Sequence, residues 1–170
     1  MENQKLILIF EIFSIVFTSI LGTLLHFTFE WSKKNSLVAT FSATNESVWE
    51  HLKLLFFPML ITTIIGYFCI GKYYSNFLCA QATGIFIGIL FIVVFFYTYT
   101  GIIGRNYAIL DIGSFFVAVI LSGYISYKLS ISNSLCNNNE IAIVSLLIML
   151  VCFVWFTYFP PKIGLFKDPI

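Results

Sequence analysis

The run FLCAQATGIFIGILFIVVFFYTYTGII, residues 77–103, decides what kind of protein this is. It holds 27 residues and no charged side chain. A helix needs roughly 20 mostly apolar residues to cross about 30 Å of hydrocarbon, so this run can span a bilayer with some tilt. Backbone N–H and C=O groups find no water partner in hydrocarbon, and the alternation of barrel strands is absent, so the run must be helical.

Working outward, runs of the same kind occupy about residues 6–31, 48–70, 107–129 and 141–159, the last closed by Pro160 and Pro161. The sequence therefore predicts an all-α polytopic membrane protein, one integral membrane domain over residues 1–170 with about five transmembrane helices in a bundle. Composition agrees: 59% hydrophobic, 19% aromatic and 10% charged residues, with a mean hydropathy of +0.96, lie far outside the range of soluble globular domains. The first run is too long for a signal peptide and no Ala-x-Ala cleavage site follows it, so it is read as retained.

Simple alternation of five spans sorts the loops onto two faces. Face A holds the N-terminus and residues 71–76 and 128–140; face B holds residues 32–47, 104–106 and the tail from Pro160. Lys5, Lys72 and Lys128 fall to face A, and Lys33, Lys34, Lys53, Arg105, Lys162 and Lys167 to face B. The positive-inside rule then predicts a multi-pass protein of the cell membrane with face B in the cytoplasm and the N-terminus outside. A net charge of +1 with no basic stripe excludes nucleic acid as a partner. Cys69, Cys79, Cys136 and Cys152 show no CxxC spacing, so they are read as apolar thiols rather than a zinc knuckle or a disulfide framework.

Two spans carry small residues every fourth position: Ala80, Gly84 and Gly88, then Ser114, Ala118 and Ser122. Such rows let backbones approach closely in lipid, within the chain or in an oligomer.

The ionisable residues are concentrated in TNESVWEHLKLLFFP, Thr44–Pro58. Ser47 and Glu50 have capping-box spacing, and Asn45 offers a second cap, so a helix should start here. Continued as helix, the stretch would put Glu46 and Glu50 on one face with His51 beside them, Trp49 at the interface and Lys53 snorkelling outward. The first span ends HFTFE, stacking His26 on Glu30, and the fourth begins RNYAILD, bringing Arg105, Asn106 and Asp111 to the same level. Both histidines and five of the eight acidic residues, Glu30, Glu46, Glu50, Asp111 and Asp168, thus point to face B.

Charges at membrane depth cost about 2.5–3.5 kcal/mol each on insertion scales and persist where they pair, line a cavity or act. A shared polar pocket is the expected outcome. His26, Glu30, Glu46, Glu50, His51 and Asp111 are its candidate catalytic groups. Asn45, Trp49, Arg105, Asn106 and Tyr158 are candidates for binding a lipid or small amphiphile. His26, His51 and Glu50 are candidate ligands for a divalent metal such as zinc, although no HExxH signature is present. An interfacial membrane enzyme is the leading reading of such a pocket, with Arg105 clamping an anionic headgroup.

Two other readings stay open. Glu11, Thr18, Gly22, His26 and Glu30 form a stripe along the first span, as a proton or solute route would, with Lys5 or a hydroxyl expected to partner Glu11. Alternatively, the chain is a noncatalytic partner of another membrane protein, docking through the small-residue rows. In the tail FTYFPPKIGLFKDP, two prolines and a final Asp-Pro specify an extended close that could fold back over the pocket.

NESVWEHLKL, RNYAILDIGSFF and FTYFPPKIGLFKDP together resemble a family of small multi-pass bacterial membrane proteins of unknown function. The resemblance spans nearly the whole chain; it implies the architecture and no mechanism. NESVWEHL is also similar to the motif before the first span of the progestin and adiponectin receptor family, relatives of zinc-dependent membrane ceramidases. That likeness would imply seven spans and a late HxxxH pair, and no histidine follows His51. It points no further than toward membrane hydrolases.

Overall fold

A computed structural model describes residues 2–132 and 138–169, with the side chains of residues 2 and 3 left aside. Among the described residues six α-helices follow one another: α1 (Glu2–Trp31), α2 (Ser36–Ala39), α3 (Val48–Cys69), α4 (Phe77–Ile103), α5 (Ala108–Ser132) and α6 (Asn139–Tyr158), with short 3-10 turns at Gly71–Tyr73 and Gly164–Phe166. The protein is all-α, and no strand occurs among the described residues. Every helix but α2 is long and apolar enough to cross a membrane, which fits a multi-pass membrane protein.

α3 and α4 form the centre. Their most apolar windows are 56% buried, against 28% for α1 and α5 and 17% for α6. Large apolar side chains cover the outside, among them Ile9, Phe68, Ile102 and Ile109. A belt this wide is a membrane or partner surface by its chemistry. The core joins Leu55, Phe56 and Met59 of α3 to Phe77 and Ile85 of α4, Ala118 and Val119 of α5 and Phe153 of α6.

The small-residue rows pack on each other inside the chain. A Cβ on Gly84 would lie 2.1 Å from Ser126 Oγ, and one on Gly88 would lie 2.0 Å from Ser122 Oγ. α4 and α5 are accordingly the most intimately packed pair. Both rows are buried, so neither is a free docking face.

A second close approach falls at a backbone carbonyl that lacks its helical donor. Pro58, inside α3, has no N–H to give to the carbonyl of Leu54. Gly22 of α1 sits on that carbonyl: a Cβ there would come within 2.4 Å of Leu54 O and 2.6 Å of Phe115 Cζ. Gly22 belongs to the polar stripe expected along α1, yet what it does is let α1 lie against α3.

The loops gather as alternation predicts. At face B, Tyr158 at the end of α6 donates from its hydroxyl to Ser36 O at 2.6 Å, and Tyr99 at the end of α4 donates to Asp111 of α5. At face A, Asn76 Nδ2 donates to Leu129 O at 2.6 Å. The cysteines depart from the expectation of four apolar thiols: Cys69 and Cys152 are free, but Cys79, at the face A start of α4, is disulfide-bonded. Cys136 lies outside the described residues.

Candidate metal centre

α3 begins at Val48, with Ser47 as its N-cap, its Oγ 3.4 Å from Glu50 N. Asn45 Oδ1 accepts from Ser47 N at 2.9 Å, turning the chain just before the helix. Glu46 therefore stands outside the helix, in the bend that precedes it. The one-face relation of Glu46 and Glu50 expected from their spacing does not form, because it needs a helix two residues longer. The two carboxylates go to different places.

Glu50 goes inward. Its Oε2 accepts from Thr44 N and Thr44 Oγ1, both at 2.8 Å, and lies 2.6 Å from Lys53 Nζ. The reciprocal half of a capping box would have used Ser47 N; Thr44 takes its place. Lys53, expected to snorkel outward, is instead fully buried and donates to Ala39 O at 2.8 Å and Thr157 Oγ1 at 3.0 Å. This network ties the α2 loop, the start of α3 and the end of α6 together. Its charges and donors are used up in holding the loop.

That same loop is fixed to α1 by Ser42. Its buried hydroxyl donates to Leu25 O and accepts from Phe29 N and Thr28 Oγ1, both at 3.0 Å. With both sides anchored, Glu46 is held between His26 of α1 and His51 of α3. Its Oε1 is 3.9 Å from His26 Nε2 and its Oε2 is 3.5 Å from His51 Nε2. The two imidazole centroids are 5.2 Å apart. One ligand atom from each of the three residues lies within 4.8 Å of the others, so His26, Glu46 and His51 could hold a metal ion. The group differs by one member from the ligand set suggested by sequence: Glu46 replaces Glu50, whose carboxylate is already committed to Lys53.

Chemistry of the donors fits a divalent ion. His51 Nδ1 is 2.9 Å from Ser47 O. A carbonyl only accepts, so Nδ1 donates there, which fixes the ring and leaves Nε2, the nitrogen that points to Glu46, as the one that would hold an ion. Two histidines and one carboxylate are three protein ligands, the number that leaves a tetrahedral ion one open position.

The three residues sit at one edge of a cavity of about 420 Å³. Asn106, Asp111 and Ser114 add polar groups, while Ile92, Phe96, Ile112, Phe115 and Phe116 make most of the wall apolar. The tail reaches it: Pro169 lines the cavity, and Phe166 packs on Trp49 with centroids 4.8 Å apart. Asp168 itself is exposed.

The other candidates lie elsewhere. Glu30 is exposed and pairs with Lys34 at 3.6 Å. Arg105 is exposed, its Nε donating to Tyr107 OH at 2.7 Å. Asn45 is used in its own turn, Trp49 is wedged among Phe153, Phe156 and Phe166, and Tyr158 holds the α2 loop. Residues that sequence reading did not single out complete the loop anchor: Ser42 and Ala39. Nothing local marks them, since each acts through a partner at least 13 residues away.

No curated protein and no solved structure matches the chain. The model of a family of unknown function, DUF6512, matches residues 1–170, and the chain belongs to that family.

Proposed function

We propose that this is an integral membrane protein whose His26, Glu46 and His51 bind a divalent metal ion and use it to cleave an ester or amide of an amphiphile at the membrane interface. The observation that carries the reading is the convergence of three ligand atoms within 4.8 Å of one another at the edge of a largely apolar cavity. Zinc suits two imidazoles and a carboxylate. A cavity of about 420 Å³ falls within the roughly 300–1,000 Å³ typical of small-molecule sites and would take an acyl chain beside the polar edge. An ion held by these three residues would lower the pKa of a water in its open position to about 7 and would polarise a carbonyl oxygen. Asp111 lines the same cavity, where its carboxylate, held by Tyr99, is a candidate proton acceptor.

The site would face the cytoplasm. Lys53 no longer counts as a loop charge, since it is buried against Glu50. Lys33, Lys34, Arg105, Lys162 and Lys167 still outnumber Lys5, Lys72 and Lys128. The disulfide of Cys79 supports the same orientation, because such bonds persist in oxidising compartments and Cys79 is at face A.

The test is metal content of the purified protein, followed by turnover of a panel of short-chain fluorogenic esters and amides. The wild type should carry about one ion per chain, His26→Ala, His51→Ala and Glu46→Ala should lose it, and Glu30→Ala should keep it. Absence of metal from the wild type after zinc loading would reject the site. Bound metal without turnover on any amphiphile would reject the enzyme and leave a metal-binding membrane protein.

A further inference from the structure

Glu11 lies far from this site, within α1, and is 2% exposed. Its Oε1 accepts from Gln81 Nε2 of α4 at 2.5 Å. Lys5, one of the partners expected for it, is exposed and makes no ion pair with it. Two oxygens of this contact are left over: Glu11 Oε2 and Gln81 Oε1 are both buried and neither has a hydrogen-bond partner among the described residues.

Each of these oxygens, in an ionised carboxylate and an amide, can only accept, so neither can satisfy the other. A single proton changes that. On Glu11 Oε2 it makes a hydroxyl donor, and the amide carbonyl of Gln81 is the acceptor of the same pair. A carboxylic acid and a carboxamide then join through two hydrogen bonds, acid carbonyl to amide N–H and acid O–H to amide carbonyl. Rotating the amide by half a turn keeps the requirement, since a carbonyl oxygen placed 2.5 Å from a carboxyl oxygen needs a proton between them.

The packed surroundings supply no charge to hold an ionised form. α4 contributes Gln81, and Gly123 of α5 approaches so closely that a Cβ there would lie 3.7 Å from Glu11 Oε2. The charged groups of α3, Glu50 and Lys53, are bound to each other, and α4 has none. On α5, Asp111 accepts from Tyr99, and Lys128 lies over the ring of Tyr124. An unpaired buried carboxylate is costly and normally neutralises.

We propose that Glu11 and Gln81 form an intramembrane proton-binding site, a neutral acid–amide pair joining α1 to α4. Releasing the proton leaves a buried charge with one donor, so protonation is coupled to the packing of these helices. This site is independent of the metal centre and would stand if that centre failed.

Infrared spectra of the full chain in lipid nanodiscs at neutral pH test it. The wild type should show a protonated-carboxyl carbonyl band that Glu11→Gln lacks, and Gln81→Leu should shift that band. Identical spectra of wild type and Glu11→Gln in the acid carbonyl region would overturn the proposal. Should Glu11→Gln fail to fold, dicyclohexylcarbodiimide, an apolar reagent that adds to protonated carboxyls, replaces it on the wild type. An adduct located on Glu11 by mass spectrometry supports the site, and an unmodified Glu11 overturns it.

Discussion

The ammonium of Lys53 stands 2.6 Å from the carboxylate of Glu50 in a place where the two side chains are 0% and 4% exposed. Removing one partner of a buried pair strands the other, at a cost of about 3–5 kcal/mol. Lys53→Met and Glu50→Leu should each lower the unfolding temperature in detergent sharply, and the double variant should lose far less than the sum of the two. Additive losses would mean that the contact to Thr44 or Ala39, rather than the charge pairing, holds the loop.

Gly22 and Gly101 make an opposed pair of tests. Gly22→Ala drives a methyl into Leu54 O and Phe115 and should cost about 1–3 kcal/mol, as overpacking does. Gly101→Ala, in α4 with nothing within 4 Å of the added atom, should be neutral or gain up to about 1 kcal/mol of helix propensity. Thermal unfolding of both variants in the same detergent checks the contrast, which would vanish if α1 did not rest on α3 at this point.

An ion that binds only the folded protein raises stability by mass action. At a free concentration one hundred times Kd, zinc should add about 2.7 kcal/mol, and a chelator should abolish the gain. His51→Ala should remove the zinc response and Glu30→Ala should not, because Glu30 pairs with Lys34 on the outer surface. Equal zinc shifts in both variants would place binding elsewhere.

Cys69 is free and exposed at the face A end of α3. With face A outside, a membrane-impermeant maleimide applied to intact cells should label it, and Cys69→Ser should abolish that signal. Labelling seen only after permeabilisation would reverse the orientation and move the metal centre to the outer face.

Span positions were legible in the sequence because crossing hydrocarbon imposes a length and an apolarity that each segment must meet alone. The predicted ends at residues 48, 70, 77 and 103 fall within one residue of those of α3 and α4. The convergence of His26 and His51 on face B followed from the same alternation. The fate of the carboxylates did not follow: spacing put Glu46 with Glu50, and one N-cap at Ser47 separated them. Arg105 and Glu30 likewise shared a level with the cavity in sequence but took nearby surface partners instead.

By itself the sequence determined that the chain is helical, how many times it can cross a membrane and at which end its ionisable groups collect, all properties of local composition and period. Only the tertiary structure decided that Glu46 faces the imidazoles, that Lys53 turns inward to Glu50, and that Gln81 rather than Lys5 meets Glu11. Lys53 lies only three residues from Glu50, yet which way each of these side chains turns is settled with residues far along the chain, His26, Ala39, Thr157 and Gln81 among them, and no local pattern encodes which distant partner satisfies a buried polar group.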